Sequence, residues 1–191
     1  MSKTQYFTAM SVDGFIADAD NSLDWLFEAH TPEHGESRWD EFIGAVGAMA
    51  MGATTYKWAL EHERLLDEPQ KWHEFYGDIP CWVFTHRELP LVPDADLTFV
   101  QGSVAPVHRA MTAAAAGKNI WLVGGGDLVG QFDDEGLLDE IQVHVAPLTL
   151  GAGAPLLPRR IASGRLTLVS AESEGGFAYL TYGVTAQASS S

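Results

Sequence analysis

The sequence predicts a single α/β domain, a three-layer sandwich with helices on both faces of a mostly parallel mixed sheet. Short apolar runs alternate with amphipathic segments along most of the 191 residues, as strands joined by crossover helices do. The last two apolar runs are joined by Glu174, Gly175 and Gly176, which predicts a C-terminal antiparallel hairpin. Because no repeat or long linker divides the chain, residues 1–185 are predicted to form one domain and residues 186–191 a disordered tail.

The strands are predicted from apolar or alternating runs that are bounded by turn-forming residues. In order, they are QYFTAM at 5–10, AMAMG at 48–52, PCWVFTH at 80–86, DLTFVQG at 96–102, NIWLV at 119–123, LDEIQVHVAPLTL at 138–150, RLTLVSAES at 165–173 and FAYLTYGV at 177–184.

The helices are predicted from apolar residues that recur on one helical face, and from capping residues. Trp39, Phe42, Ile43 and Val46 recur in this way in the first of them, while Ser103 offers an N-cap and Gly117 an end to the third. The predicted helices cover residues 33–47, 53–62, 104–116 and 127–134, and residues 69–78 are predicted to be a short amphipathic insert.

Composition limits the classes of partner. The formal net charge is −15, from 26 acidic and 11 basic residues, which argues against binding to nucleic acid or to an anionic membrane. The single cysteine, Cys81, lies in an apolar run and excludes an internal disulfide. No N-terminal signal and no apolar stretch of membrane-spanning length is visible, so we expect a cytoplasmic protein.

Three consecutive glycines lie in WLVGGGDLVGQF, residues 121–132, between a predicted strand and a predicted helix. The first N–H groups of a helix lack intrahelical partners, and glycines allow phosphate oxygens to come close to them. Two better-known phosphate motifs do not fit, because Val129 stands where the dinucleotide fingerprint needs Gly or Ala and Gln131 where the P-loop needs Lys. Taken alone, the turn could equally be a corner that needs small residues.

Two further strand ends carry groups suited to phosphate. MGATTY, residues 51–56, places Thr54 and Thr55 at the start of a helix, and FTHR, residues 84–87, ends a strand with a hydroxyl and two possible cations. Ligands of open α/β sheets collect at the carboxyl ends of the strands. We therefore expect a bound dinucleotide across these three corners.

These segments, together with SVDGFIAD (11–18) and LLDEIQVHVAPLTLGAGAPLL (137–157), resemble the dihydrofolate reductase-like superfamily. The resemblance is nearest to the branch that includes the C-terminal reductase domain of bacterial riboflavin biosynthesis, and it covers about residues 4–185. It implies NADPH as cofactor, a small-molecule substrate and a homodimer formed through the C-terminal part of the sheet.

The resemblance also implies roles for individual residues. The segment 85–87 would meet the adenosine 2′-phosphate, and the loop through Trp25 would be the lid over the nicotinamide. Ala53 stands where the family most often has a basic residue, which removes one cation from the site. The implied cofactor-binding residues are Ala9, Ile16, Gly52, Thr54, Thr55, Thr85, His86, Arg87, Gly124, Gly125, Gly126, Asp127, Leu128 and Val129.

Candidates for catalysis are fewer. Glu36 and Asp40 lie on the helix where folate reductases hold a carboxylate, although both could instead be solvated acids near a helix start. His144 matches a position that points into the substrate pocket, where it could donate a proton, or it could lie on an outer strand face. Asp13, before Gly14 in the lid segment, is predicted to shape the turn.

The remaining histidines do not predict a metal site, since Pro32 separates His30 from His34 and no third ligand is evident. The sequence thus indicates an NADPH-dependent reductase of a small heterocycle or carbonyl compound. Two alternatives stay open. One is the 5-amino-6-(5-phosphoribosylamino)uracil reductase of riboflavin biosynthesis, and the other is an NADP(H)-binding protein without catalysis.

Overall fold

An eight-stranded mixed sheet organises the protein in a computed structural model, which describes residues 2–29 and 36–186. Ten strands are present in this part of the chain: β1 (Thr4–Ser11), β2 (Phe15–Ala17), β3 (Val46–Gly52), β4 (Cys81–Phe84), β5 (Leu97–Val100), β6 (Asn119–Gly124), β7 (Glu140–Ala146), β8 (Ala154–Pro155), β9 (Leu166–Glu174) and β10 (Phe177–Val184).

The helices of the described chain are α1 (Asp24–Ala29), α2 (Glu36–Gly44), α3 (Ala53–His62), α4 (Gln70–Tyr76), α5 (Val104–Ala114) and α6 (Gly126–Asp134). The side-chain oxygen of Ser103 accepts a hydrogen bond from the backbone of Ala105, as its predicted role as N-cap of α5 requires.

The main sheet has the strand order β5-β4-β3-β6-β1-β7-β10-β9. The first six strands are parallel, β10 pairs antiparallel with β7, and β9 pairs antiparallel with β10 at the outer edge. The predicted mostly parallel sheet with a C-terminal hairpin is therefore confirmed. A second, two-stranded sheet pairs β2 with β8, which lies in the Gly/Pro-rich stretch GAGAPLLP at 151–158, here called the Gly/Pro segment.

Alternation along β3 shows why three layers form. Ala48 and Ala50 are buried against α5 and α6, whereas Met49 and Met51 are buried against α2, α3 and α4 on the other face. Successive side chains of a strand point to opposite faces, so a run that is apolar throughout must be covered on both. The sandwich predicted from the sequence follows from this burial.

Some predicted boundaries were wrong. The helix predicted over 33–47 ends at Gly44, and Val46 and Gly47 belong to β3 instead. A Cβ on Gly47 would lie 2.4 Å from the carbonyl oxygen of Ala115, so this glycine lets the strand approach the end of α5. The expectations for His30 and His34, and for the tail beyond Ala186, lie outside the described residues.

Candidate active site

The glycine turn lies where β6 ends and α6 begins. Gly125 is the N-cap of α6 and Gly52 the N-cap of α3, and neither helix receives a side-chain cap. A Cβ on Gly52 would lie 3.9 Å from the backbone nitrogen of Gly125, so the two helix starts are neighbours. Two sets of free N–H groups and two positive helix ends therefore converge. The peptide bond between Gly124 and Gly125 is cis.

A cavity of about 510 Å³, here called the edge cavity, lies along the ends of β3, β4 and β6. Thr54, His86 and Arg87 line it beside the glycine turn. The hydroxyl of Thr85 is taken up locally, because it accepts from the backbone N–H of Arg87 (2.9 Å) and donates to its carbonyl (3.1 Å). Thr85 thus shapes the turn that presents Arg87, whose side chain is exposed.

A second cavity of about 310 Å³, the central cavity, continues from the edge cavity. The two share Thr54, Thr55, Gly125 and Asp127. Asp127 is in the first turn of α6, and its carboxylate lies 3.0 Å from the guanidinium of Arg159. The N-terminus of α6 attracts anions, but the carboxylate of Asp127 beside it repels them. The guanidinium of Arg159 offsets this negative charge.

A third cavity of about 530 Å³, the aromatic cleft, shares Thr8 and Val123 with the central cavity. Phenylalanine and tryptophan rings from the sheet and from α1, α2 and α4 form its walls. Its lining residues are Phe7, Thr8, Ala9, Leu26, Phe27, Trp39, Phe75, Trp121, Val123, His144, Phe177 and Tyr179. The three cavities therefore form one series, from the cationic corner at Arg87 to a ring-lined cleft.

Two titratable side chains, His144 and Tyr179, line the aromatic cleft. Its ring lies 4.5 Å from that of Phe7 and 4.7 Å from that of Tyr179, in edge-on geometry with both. Burial, and then the positive charge of Arg38, lower the pKa of His144 to about 4. The imidazole is therefore neutral at physiological pH, and it offers one N–H donor and one acceptor nitrogen.

The predicted nicotinamide-contacting positions fall on two of these cavities. Ala9 lines the aromatic cleft and pairs with His144 across β1 and β7, and Ile16 lines the central cavity. Asp13 accepts hydrogen bonds from the Ser11 hydroxyl (2.6 Å) and from the backbone of Gly151 (2.7 Å). These bonds, that from Ser11 foremost, lower the pKa of Asp13 and join the loop after β1 to the Gly/Pro segment.

Trp25, Asp40, Leu128 and Val129 were also predicted for the site, and none of them lines the aromatic cleft. Trp25 is buried on α1 rather than lying in a loop, and it packs behind the wall against Phe177 and Tyr179. Asp40 is exposed on α2 and lines none of these cavities. The side chain of Glu36 lies outside what the structure describes. Leu128 lines the edge cavity, whereas Val129 is buried in the core.

Sequence reasoning did not consider Phe7, Trp39, Trp121 or Tyr179 for the site. Alternation was the signal that could have found Phe7, since it shares a strand face with Ala9 and neighbours the fully buried Tyr6. The contribution of Tyr179 depends on β10 pairing with β7, which places it opposite His144. No local pattern encodes that register.

Comparison with known proteins agrees with this geometry. The RibD C-terminal domain family matches residues 62–176. The uncharacterized protein YwjB of Bacillus subtilis is 33% identical over 180 residues, which cover 94% of this chain and 97% of YwjB. The chain belongs to the RibD C-terminal domain family.

Solved structures extend this result to the fold. A protein from Shewanella sp. PV-4 that is provisionally assigned to riboflavin biosynthesis has a TM-score of 0.77 at 22% identity, covering 96% of this chain and 99% of its own. Dihydrofolate reductase from Enterococcus faecalis, in a complex with NADP(H), has a TM-score of 0.56 at 13% identity, with 95% and 96% covered. This member of the RibD C-terminal domain family therefore has the dihydrofolate reductase-like fold.

Among residues 2–29 and 36–186, no helix is both long and apolar enough to cross a bilayer. Within the same residues, no group of three or more His, Cys, Asp or Glu side chains is placed to hold a metal ion.

Proposed function

We propose that this protein is an NADPH-dependent reductase that transfers a hydride to a small heterocyclic or carbonyl substrate in the aromatic cleft. The observation that carries the proposal is the unbroken series of cavities. It begins at an exposed arginine, passes two uncapped helix starts and ends at a ring-lined cleft that contains a neutral histidine.

The residues present fit a dinucleotide phosphate. The helix starts at Gly52 and Gly125 would hold the pyrophosphate through backbone N–H groups, and Arg87 would bind the 2′-phosphate. A Cβ on Gly125 would meet nothing within 4 Å, which is the open space that a phosphate at this helix start requires. When bound, NADPH supplies the hydride and its electron pair.

The protein's own part is to bind, to orient and to exclude water. Phe7, Trp39 and Trp121 present apolar faces against which a flat substrate can pack. Neutral His144 can donate an N–H to a substrate carbonyl oxygen, which stabilises the negative charge that develops there. Such a role needs no carboxylate in the cleft, which agrees with the exposed position of Asp40.

The test is a titration of the purified protein with NADPH and with NADH, followed by tryptophan fluorescence. Gly125→Val should fold, because a Cβ there is unopposed, yet its side chain would fill the space for phosphate. We expect NADPH affinity to fall by at least about tenfold, the loss of one charge-assisted contact. Gly164→Val is the matched control, since Gly164 is equally unobstructed and lies outside these cavities.

Binding of neither dinucleotide to the unmodified protein would contradict the proposal. A protein that binds NADP(H) without catalysis would pass this titration but would never oxidise NADPH across a panel of carbonyl and heterocyclic substrates. The 5-amino-6-(5-phosphoribosylamino)uracil reductase alternative requires a phosphate site for its substrate, and measuring turnover of that compound against the panel decides it.

A further inference from the structure

A fourth cavity adjoins the aromatic cleft and has a different character. This polar compartment, of about 270 Å³, shares Phe7, His144 and Tyr179 with the cleft, so the two cavities adjoin along these three side chains. Glutamine and glutamate side chains contribute to its walls, whereas the cleft is lined mainly by rings. The two cavities therefore select for different parts of a ligand.

Buried Glu140 fixes the orientation of the two glutamines that line the compartment. Its carboxylate accepts hydrogen bonds from the Nε2 atoms of Gln5 (2.6 Å) and Gln142 (2.7 Å), and another from the Lys3 ammonium. Burial raises the pKa of Glu140, but these three donors outweigh burial and leave the pKa below its ordinary value. Because an ionised carboxylate only accepts, both amides must point their NH₂ groups at it.

The carbonyl oxygens of both glutamines are therefore the free ends of these side chains. Gln5 is 6% exposed, and its Oε1 atom has no hydrogen-bond partner among the described residues. An unpaired buried acceptor is unfavourable, and a small movement of the Gln5 side chain towards the compartment would let a ligand N–H or O–H group satisfy it. Gln142 presents the same kind of acceptor from the neighbouring strand.

The charges around the compartment disfavour an anion. Arg38 lines it, but its guanidinium is paired with Glu172 (2.7 Å) and with Glu174 (3.3 Å) and lies 4.4 Å from the ring centre of Tyr179. Glu41 adds a further carboxylate to the lining. Arg38 is thus already matched by more than one negative charge, and a phosphate or carboxylate there would be repelled.

We propose that the substrate has two parts: a planar ring for the aromatic cleft and an uncharged or cationic group that donates hydrogen bonds to the polar compartment. This deepens the proposed reductase function, on which it rests. Gln5 and Gln142 determine the specificity for the second group, and Glu140 is a positioning residue that orients them. Substrates with a phosphate or carboxylate at this end are excluded by charge.

The test uses naphthalene probes that share one ring and differ in one group. 2-Naphthamide donates N–H groups without charge, 2-naphthylmethylamine is a cation, 2-naphthoate is an anion and 2-methylnaphthalene has the ring alone. Their affinities are measured by calorimetry without any dinucleotide. We expect the amide and the amine to bind more tightly than 2-methylnaphthalene, and at least about tenfold more tightly than naphthoate.

Two kinds of variant test the assignment. Gln142→Met and Gln5→Met should each lower the affinity for naphthamide by about threefold to tenfold, with 2-methylnaphthalene unchanged. Glu172→Gln combined with Glu174→Gln leaves Arg38 unmatched, so naphthoate should gain affinity and the amine should lose it. Glu61→Gln with Glu135→Gln changes the net charge equally on exposed surface and should shift neither.

The probe affinities either support or overturn the two-part site. Naphthoate binding as tightly as the amide, or naphthamide binding no more tightly than 2-methylnaphthalene, overturns the inference. The double glutamate variant keeps the test valid if a glutamine variant fails to fold, because both glutamates are surface residues. A separate NADPH titration distinguishes the two proposals. If the probes rank as expected but NADPH does not bind, the reductase proposal fails while the two-part site stands.

Discussion

Arg87 is the residue on which cofactor choice should depend. It lines the edge cavity with an exposed side chain, and among the described residues no carboxylate forms an ion pair with it, in contrast to Arg159. We expect Arg87→Ala to weaken NADPH binding by about tenfold while NADH binding stays the same, because only NADPH carries the 2′-phosphate. Parallel titrations with both dinucleotides measure this. Arg64→Ala is the control, and an equal loss for both dinucleotides would contradict the prediction.

His144 should make the free energy of unfolding depend on pH. Its pKa falls from 6.5 to about 4 on folding, mainly through burial, so between these values the unfolded chain binds more protons than the folded one. The free energy of unfolding therefore keeps the full contribution of neutral His144 above pH 6.5. It falls by roughly 2 to 3 kcal/mol as the pH drops towards about 4. Denaturant unfolding of the wild type and of His144→Gln across this range measures it. If the free energy of unfolding depends on pH with the same slope in both proteins, His144 is not the cause of that dependence.

At the scale of one element, the proposed phosphate site at the start of α6 has an acidic residue, Asp127, in the first turn of the helix. Arg159 holds Asp127 at 3.0 Å and Asp134 at 3.1 Å. Arg159→Ala should weaken NADPH binding by about fivefold, because the carboxylate of Asp127 is then unmatched beside the phosphate. Adding Asp127→Asn should restore most of the affinity, and a double-mutant cycle measures this coupling. Strictly additive effects would show that the ion pair does not influence the site.

Elements with a strong periodic pattern could be predicted from the sequence, and those that tertiary contacts decide could not. The continuous apolar run AMAMG at 48–52 identified β3 correctly, and the structure buries its Met49 and Met51 on one face of the sheet. Val46 fitted both the helical spacing and a strand, and the close approach at Gly47 decided for the strand. The short pairing of Phe15 with Pro155 has no local signature, because proline and glycine in that segment indicate a loop.

At the scale of the whole molecule, the three strand ends that were predicted to bind phosphate do lie along one connected series of cavities. They could be predicted because the carboxyl ends of parallel strands meet at one edge of a sheet. The polar compartment could not, because it depends on β1, β7 and α2 meeting the C-terminal hairpin. Gln5 and Glu172 are far apart in sequence, and neither belongs to a motif.

The outer edge of the sheet leads to a prediction about assembly. The edge strand β9 carries two exposed apolar side chains, Leu168 (53% exposed) and Val169 (63%). Open edges with apolar side chains favour pairing with another chain, and proteins that stay monomeric usually protect them with charge. We therefore predict a homodimer formed through this part of the sheet, as the family resemblance implies.

Val169→Lys should convert that dimer to a monomer, because it places a charge in the centre of the contact. Light scattering coupled to size-exclusion chromatography measures the mass of each form. Leu91→Lys is the matched control, since Leu91 is similarly exposed (52%) and lies outside β9. A wild type that is monomeric at all concentrations would contradict the prediction.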